Sequence, residues 1–213
     1  MHSVIVRIGQ LSGGVNGVWN VSEWLPSMVC ASAALGCLPQ GQGVSLHFIA
    51  SQRDKLTAMQ VISWLPADTC AAIITEIAET TSTTSIFHVR HPRPILWTDI
   101  MDHFSSIMKL PIVPYLDWLS KLLAVLDSTD TKLSKYVAPA TRLLPIWQSA
   151  ARYSTPPHEG LITESMGIGV LLDIEDSAQR CSLLRDPSLR HIEVDDVRKW
   201  IAYWRSVDAL PAI

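Results

Sequence analysis

Ser3-Val4-Ile5-Val6-Arg7-Ile8, running straight into Gly9-Gln10-Leu11-Ser12-Gly13-Gly14, is the stretch on which the fold turns. A short β-branched run that ends in a glycine-rich loop has the form of a buried strand leaving a sheet. Asn20 to Gly36 then reads as a helix, with Ser22 as N-cap, Glu23 in the first turn and Pro26 early enough to be tolerated. Gly36 and Pro39 stop it. The alternation continues with a strand at Val61–Leu65, a helix capped by Asp68 or Thr69 and running to Ala78, and a strand at Ser85–Val89. His91-Pro92-Arg93-Pro94 breaks that strand. Trp97 opens a helix with Ile100, Met101, Phe104, Ile107 and Met108 on one face, and Ile112-Val113 reads as a very short strand. Tyr115–Leu126 is amphipathic, with Leu116, Leu119, Leu122, Leu123 and Leu126 expected inward. Beyond Ser128 the strand signals fade. Tyr136–Ala151 is helical but interrupted by Pro139 and Pro145, Ser154–Gly160 is a loop, and Asp195–Val207 is a closing helix with Val197, Trp200, Ile201 and Trp204 inward. The pattern predicts an α/β class: the edge of a sheet followed by a mostly helical cap.

The chain has 213 residues, 48% hydrophobic and 17% charged. That is length for one domain with a sizeable core, and the hydrophobicity excludes a disordered chain. A formal charge of −3 with no basic block gives no electrostatic reason to expect nucleic acid or an anionic membrane as partner. Mean hydropathy is +0.21, and charged content falls below the usual ~25%. The chain is therefore expected to oligomerise or to form part of something larger. The longest apolar run, Met28 to Leu38, is interrupted by Cys30, Ser32, Gly36 and Cys37, short of the ~20 residues a membrane span needs. The opening MHSVIVRIGQ has no basic n-region or cleavage site. Cys30, Cys37, Cys70 and Cys181 form no C-x-x-C pair and read as buried reduced thiols, so a cytoplasmic location is expected.

Taken alone, the residues close no catalytic constellation. Gly9-x-x-x-Gly13-Gly14-x-x-Gly17 does not spell the dinucleotide fingerprint G-x-G-x-x-G, so these glycines are read as serving a loop and tight packing. Counting four residues on from Tyr115, Tyr136, Tyr153 and Tyr203 gives Leu119, Ala140, Pro157 and Val207, so none begins a Tyr-x-x-x-Lys pair. No G-x-S-x-G, H-E-x-x-H or P-loop string occurs. His88 and His91, beside Arg90 and Arg93, lack a third ligand and read as loop or surface residues. Asp99, Asp102 and His103 read as a capping turn and solvated face, and Asp195 and Asp196 suit a helix N-terminus.

Five strings nevertheless resemble one family. They are Val6-Arg7-Ile8-Gly9-Gln10-Leu11-Ser12-Gly13 with Gly17-x-Trp19-Asn20-x-Ser22-Glu23-Trp24-Leu25-Pro26, then Ser63-Trp64-Leu65-Pro66-Ala67-Asp68, then His88-Val89-x-His91-Pro92-Arg93-Pro94-x-x-Trp97. Pro111-x-Val113-Pro114-Tyr115-x-x-Trp118-Leu119 and Val197-x-x-Trp200-x-x-Tyr203-Trp204-Arg205 complete the set. Together they resemble the C-terminal part of a thioester reductase domain, an extended short-chain dehydrogenase of the male-sterility type. Such domains terminate fungal adenylate-forming reductases of the aminoadipate-reductase-like and nonribosomal-peptide-synthetase-like kinds. The resemblance implies residues 1–90 as the end of a Rossmann-like sheet and 91–213 as a mainly helical substrate-binding part. It implies NADP as cofactor, with Ile8, Gly9, Gln10 and Leu11 lining the nicotinamide. Ser12 and Gly13 would lie near the acyl group, and Trp97, Tyr115 and Trp118 are implied as packing or pocket residues. The implied partner is an acyl carrier domain bearing phosphopantetheine, whose thioester is released as an aldehyde or alcohol. The family's phosphate loop and catalytic Tyr and Lys have no match in these 213 residues, so activity of this chain alone is not expected. A non-catalytic remnant, binding a carrier domain or another partner, is the alternative.

Residues 44–60 fit neither the pattern nor the family. Removing Val44–Gln60 joins Gly43 to Val61 in a smooth family-like run, and the 17 residues preserve the reading frame. Val44-Ser45 can be encoded by GTGAGT, a splice donor, and Gln60 by CAG, an acceptor. The segment reads as a retained intron, with a surface-loop insertion as the alternative.

Overall fold

The computed structural model describes residues 3–40, 61–80, 85–127, 131–152 and 174–211. Strand β1 (Val4–Ile8) is followed by the short strand β2 (Leu11–Ser12) and helix α1 (Trp24–Leu35). Short strands β3 (Leu38–Pro39), β4 (Val61–Ile62) and β5 (Leu65–Pro66) precede helix α2 (Ala67–Thr80) and strand β6 (Ser85–Val89). Strand β7 (Ile95–Leu96) leads into α3 (Trp97–Met108), and β8 (Ile112–Val113) into α4 (Tyr115–Leu126). The remaining described elements are helices: α5 (Thr131–Thr141), α6 (Leu144–Arg152), α7 (Glu175–Arg180), α8 (Ser182–Arg185) and α9 (Val194–Ser206).

Parallel pairing dominates. β1 lies beside β6 with Val4 opposite Ser85 and Ile8 opposite Val89, and β2–β5 and β3–β8 are also parallel. Only β4–β7, among the described strands, runs antiparallel. Parallel neighbours need long crossovers, and the helices between them supply these. The fold is thus α/β with a mostly helical second half, as the alternation of signals required.

Local departures have local causes. Val61–Leu65 is divided between β4 and β5, which take different partners. Between them the Ser63 carbonyl accepts the His91 N–H at 2.8 Å while Trp64 is buried in the core. Helix α1 starts at Trp24, because the Asn20 carboxamide accepts the Ser22 N–H at 3.0 Å and holds that stretch in a turn outside the helix. Glu23, not Ser22, is its N-cap. On α4, Leu116 and Leu126 face outward, and the buried stripe is Trp118, Leu119 and Leu122. Pro139 stays inside α5, and Pro145 sits in the first turn of α6, where a missing N–H breaks no helical bond. β1 departs most. Expected to be buried, it leaves Ile5 53% and Ile8 44% exposed, and the facing Ile86 is 53% exposed. Among the described residues β1 has one neighbouring strand, β6, so one edge and much of its surface stay open.

Two hydrophobic clusters result. The larger gathers Trp19, Trp64, Trp97, Trp118, Trp147, Trp200 and Trp204 with the apolar faces of α1, α3, α4 and α9, so it draws on residues from both sides of position 90. The smaller joins Cys70, Ile73 and Ile77 of α2 to Phe87 and Val89 of β6 and to Leu184. All four cysteines are buried and unpaired, and burial pushes the Cys30 thiol up to about 12. No described helix is long and apolar enough to cross a membrane. Residues 44–60 and the loop expected at 154–160 lie outside the described residues.

Candidate functional site

β2 carries Ser12 and Gly13 into the interior, where both are buried. Beside them is a cavity of about 180 Å³. Its walls come from stretches far apart in sequence: Ser12 and Gly13, then Trp64 and Pro66 around β5, then Leu189–Ile192, and finally Asp196 and Trp200 of α9. Gly13 is required here for space, since a Cβ would lie 2.8 Å from Trp200 Nε1 and 2.9 Å from Trp19 Cβ. The Trp19 and Trp200 rings already meet edge to face at 4.8 Å between centroids, a geometry that indole quadrupoles favour.

The 186–192 wall is held by polar contacts. Arg93 donates to the carbonyls of Asp186 (3.3 Å), Pro187 (3.4 Å) and Leu189. His91 lies in the loop after β6, as expected, but not at the surface: it is 2% exposed, because its ring locks this wall to the 91–93 turn. Its Nδ1 accepts the Arg93 N–H at 3.1 Å, which assigns the proton to Nε2, and Nε2 then donates to the Arg190 carbonyl at 3.0 Å. Burial lowers its pKa below the ordinary 6.5. Arg190 forms a two-pronged pair with Asp196 at 2.6 and 2.7 Å. Burial would raise the Asp196 carboxyl, but the Arg190 bonds and the Glu193 N–H outweigh it and hold the group below its usual range. Asp196 does lie in the first turn of α9, and it also fixes the cavity wall.

The other residues singled out from sequence lie as follows. Ile8 is exposed, while Gly9, Gln10 and Leu11 are half-buried at the turn between β1 and β2. The Gly9 N–H is already spent on the Val89 carbonyl (2.9 Å), and the Gln10 amide on Leu11 O (2.8 Å) and Trp24 Nε1 (3.4 Å). Among these four residues no side chain suits a phosphate. Trp97 is buried, stacked on Trp24 at 5.8 Å and set edge-on to Trp64 at 6.3 Å, which brings it to the layer behind the cavity. Tyr115 and Trp118 are not brought to the cavity. The Tyr115 hydroxyl donates to Trp147 O (2.9 Å) and Trp118 Nε1 to Ser32 Oγ (2.9 Å), which places both in the helical packing. Sequence reasoning missed Arg190, Asp196 and Trp64 as cavity residues. Trp64 stood in a family-like string, so the signal was the string itself rather than its chemistry.

No protein-family model matches the chain. Adenylate-forming reductase Nps10 of Heterobasidion annosum is 32% identical over 215 residues, covering 100% of this chain. The terminal R domain from the myxalamid PKS-NRPS biosynthetic pathway superposes on 98% of this chain with a TM-score of 0.66 at 14% identity. The chain is similar to a segment of fungal adenylate-forming reductases and shares the fold of reductase domains. A thiolation-reductase di-domain from an archaeal non-ribosomal peptide synthetase shares the reductase fold over 96% of the chain, with a TM-score of 0.55 at 12% identity. The chain spans 18% of the length of Nps10, and 44% and 36% of the two solved chains.

Proposed function

We propose that these residues form the substrate side of an NADPH-dependent thioester reductase that frees a carrier-bound acyl thioester as an aldehyde or alcohol. Convergence carries this reading. Four of the family-like strings, distant in sequence, meet at one cavity: Ser12–Gly13, the Trp64–Asp68 string, the His91–Arg93 turn that holds the 186–192 wall, and Trp200. Ser12 and Gly13 border the space into which the thioester end of a phosphopantetheine arm would reach. Trp97, in the layer behind, fixes the Trp64 ring, while Tyr115 and Trp118 support the fold at a distance. A bound nicotinamide supplies hydride for the thioester carbonyl. Ile8, Gly9, Gln10 and Leu11 would form a wall against its ring, and residues beyond these 213 would hold its phosphates and donate the proton.

The open, apolar β1–β6 pair favours a second reading, a module that binds a carrier or another protein without catalysis. A sheet of parallel strands is normally covered on both faces, and either function gives it a covering partner. Sequencing the transcript across this locus separates the two. Reductase function requires a message that runs upstream into a Tyr-x-x-x-Lys frame, whose product consumes NADPH with an acyl-loaded carrier. A message that starts at Met1 and keeps codons 44–60 would leave the reductase reading without its proton donor.

A further inference from the structure

The loop that follows Ser12 and Gly13 is gripped from two sides at one residue. Val15 N–H donates to both oxygens of the Asp68 carboxylate, at 3.1 and 3.3 Å, from the first turn of α2. The Val15 carbonyl accepts from Lys199 Nζ at 2.9 Å, from α9. Two side chains of opposite charge, from helices more than a hundred residues apart in sequence, thus hold the N–H and C=O of one residue. The grip is reinforced beside it. Gly17, at φ +89°, packs so closely on α9 that a Cβ would come within 2.6 Å of the Lys199 carbonyl. Gly17 N–H closes the turn onto Gly14 O at 2.8 Å. Val15 lines the cavity and is 51% exposed, so the grip fixes an apolar residue at the rim. Nothing in the packing of an exposed valine demands two charged partners for its backbone.

We propose that Asp68 and Lys199 are positioning residues that set the rim of the substrate cavity by fixing the Val15 backbone. This rests on the reading of the cavity as the thioester site. Held in place, the rim keeps the entrance beside Ser12 preorganised for the arm of a thioester.

The test uses the 213-residue chain with S-acetylpantetheine as probe. Amide hydrogen exchange of residues 13–18 is followed alongside probe affinity, read by tryptophan fluorescence, and the melting temperature. Lys199→Met keeps the stem and removes the donor. It should speed exchange in the loop about tenfold and weaken the probe about tenfold, with little change in melting temperature. Lys199→Arg should restore both, and Asp68→Asn should restore part of what Asp68→Ala loses. Faster exchange with unaltered affinity would make the grip merely structural and overturn the proposal, as would unaltered exchange or a loss that Lys199→Arg does not restore. A wild-type chain that takes up no probe would overturn the thioester-site reading and the positioning role with it. The exchange result, which needs no ligand, would still show whether the grip exists, so the two failures are told apart.

Discussion

Gly17 and Gly36 both take positive φ, +89° and +72°, yet the two sites ask for different things. At Gly36, the C-cap of α1, no atom from the surrounding structure lies within 4 Å of the Cβ position. Gly36→Ala should therefore cost only the left-handed backbone term, about 1 kcal/mol. At Gly17 the same change also drives a methyl into the α9 backbone. It should cost about 3 kcal/mol or more, strain and overpacking together, with thermal melts of both variants as the check. Titrating residues give a second prediction at this scale. His91 is held neutral, with its pKa lowered from 6.5 by burial. The unfolded chain therefore binds its proton first, and stability falls as pH drops below about 6.5 towards the folded pKa. Glu76 acts in a lower window. Burial works against its charge, but bonds from Ser182 N–H (2.6 Å), the Cys181 thiol (3.1 Å) and Leu183 N–H (3.2 Å) outweigh it and bring the carboxyl down from 4.5 to about 2. Its stabilising effect is full above pH 4.5 and is lost between 4.5 and about 2. Melts across pH 2–8 should show two acid-side losses, and Glu76→Gln should diminish only the lower, leaving in it the part due to Asp196, also held below its usual range.

Among the elements, α4 and α1 are joined by a buried polar contact. Trp118 Nε1 donates to Ser32 Oγ, which donates in turn to Met28 O at 2.7 Å. Ser32→Ala would leave the indole N–H without an acceptor, at a cost of about 1–3 kcal/mol. Trp118→Phe removes that donor as well, so the double variant should be less destabilised than the two single costs added together. Additive costs in a denaturant double-mutant cycle would deny the coupling. The same elements show what the sequence could reveal. Val197, Trp200, Ile201 and Trp204 fall on one side of α9 as their spacing required, and all are buried, because a helical period is a local property. Leu116 and Leu126 broke the α4 reading because leucine carries no mark of which side of a stripe it borders. Leu119 and Leu122 are buried as expected, and the core adds Trp118, whose ring packs between Tyr115 and Trp147. The cavity was legible only at Ser12 and Gly13. Trp64, Arg190 and Asp196 reach it through tertiary pairing across the chain, which no periodicity encodes.

For the molecule as a whole, the open β1–β6 pair matters most. Ile5 stands opposite Ile86 in the register, and both are 53% exposed. An apolar strand with a free edge is a template for self-association unless something covers it. Replacing both by Thr should leave the melting temperature nearly unchanged, since surface changes of this kind fall within about 0.5 kcal/mol. It should also reduce light scattering by the isolated chain. A marked loss of stability would mean that these side chains already pack within the chain. The same openness agrees with a chain that spans 44% of a reductase-fold structure. The most direct test of the account is a fluorescence titration of the 213-residue chain with S-acetylpantetheine, beside a Gly13→Ala variant of confirmed fold. The account predicts a saturable change from the indoles at the cavity, Trp64 and Trp200, that is weakened or abolished when a methyl enters the space beside Trp200. No saturable change in the wild-type chain, or one that Gly13→Ala leaves intact, would contradict it.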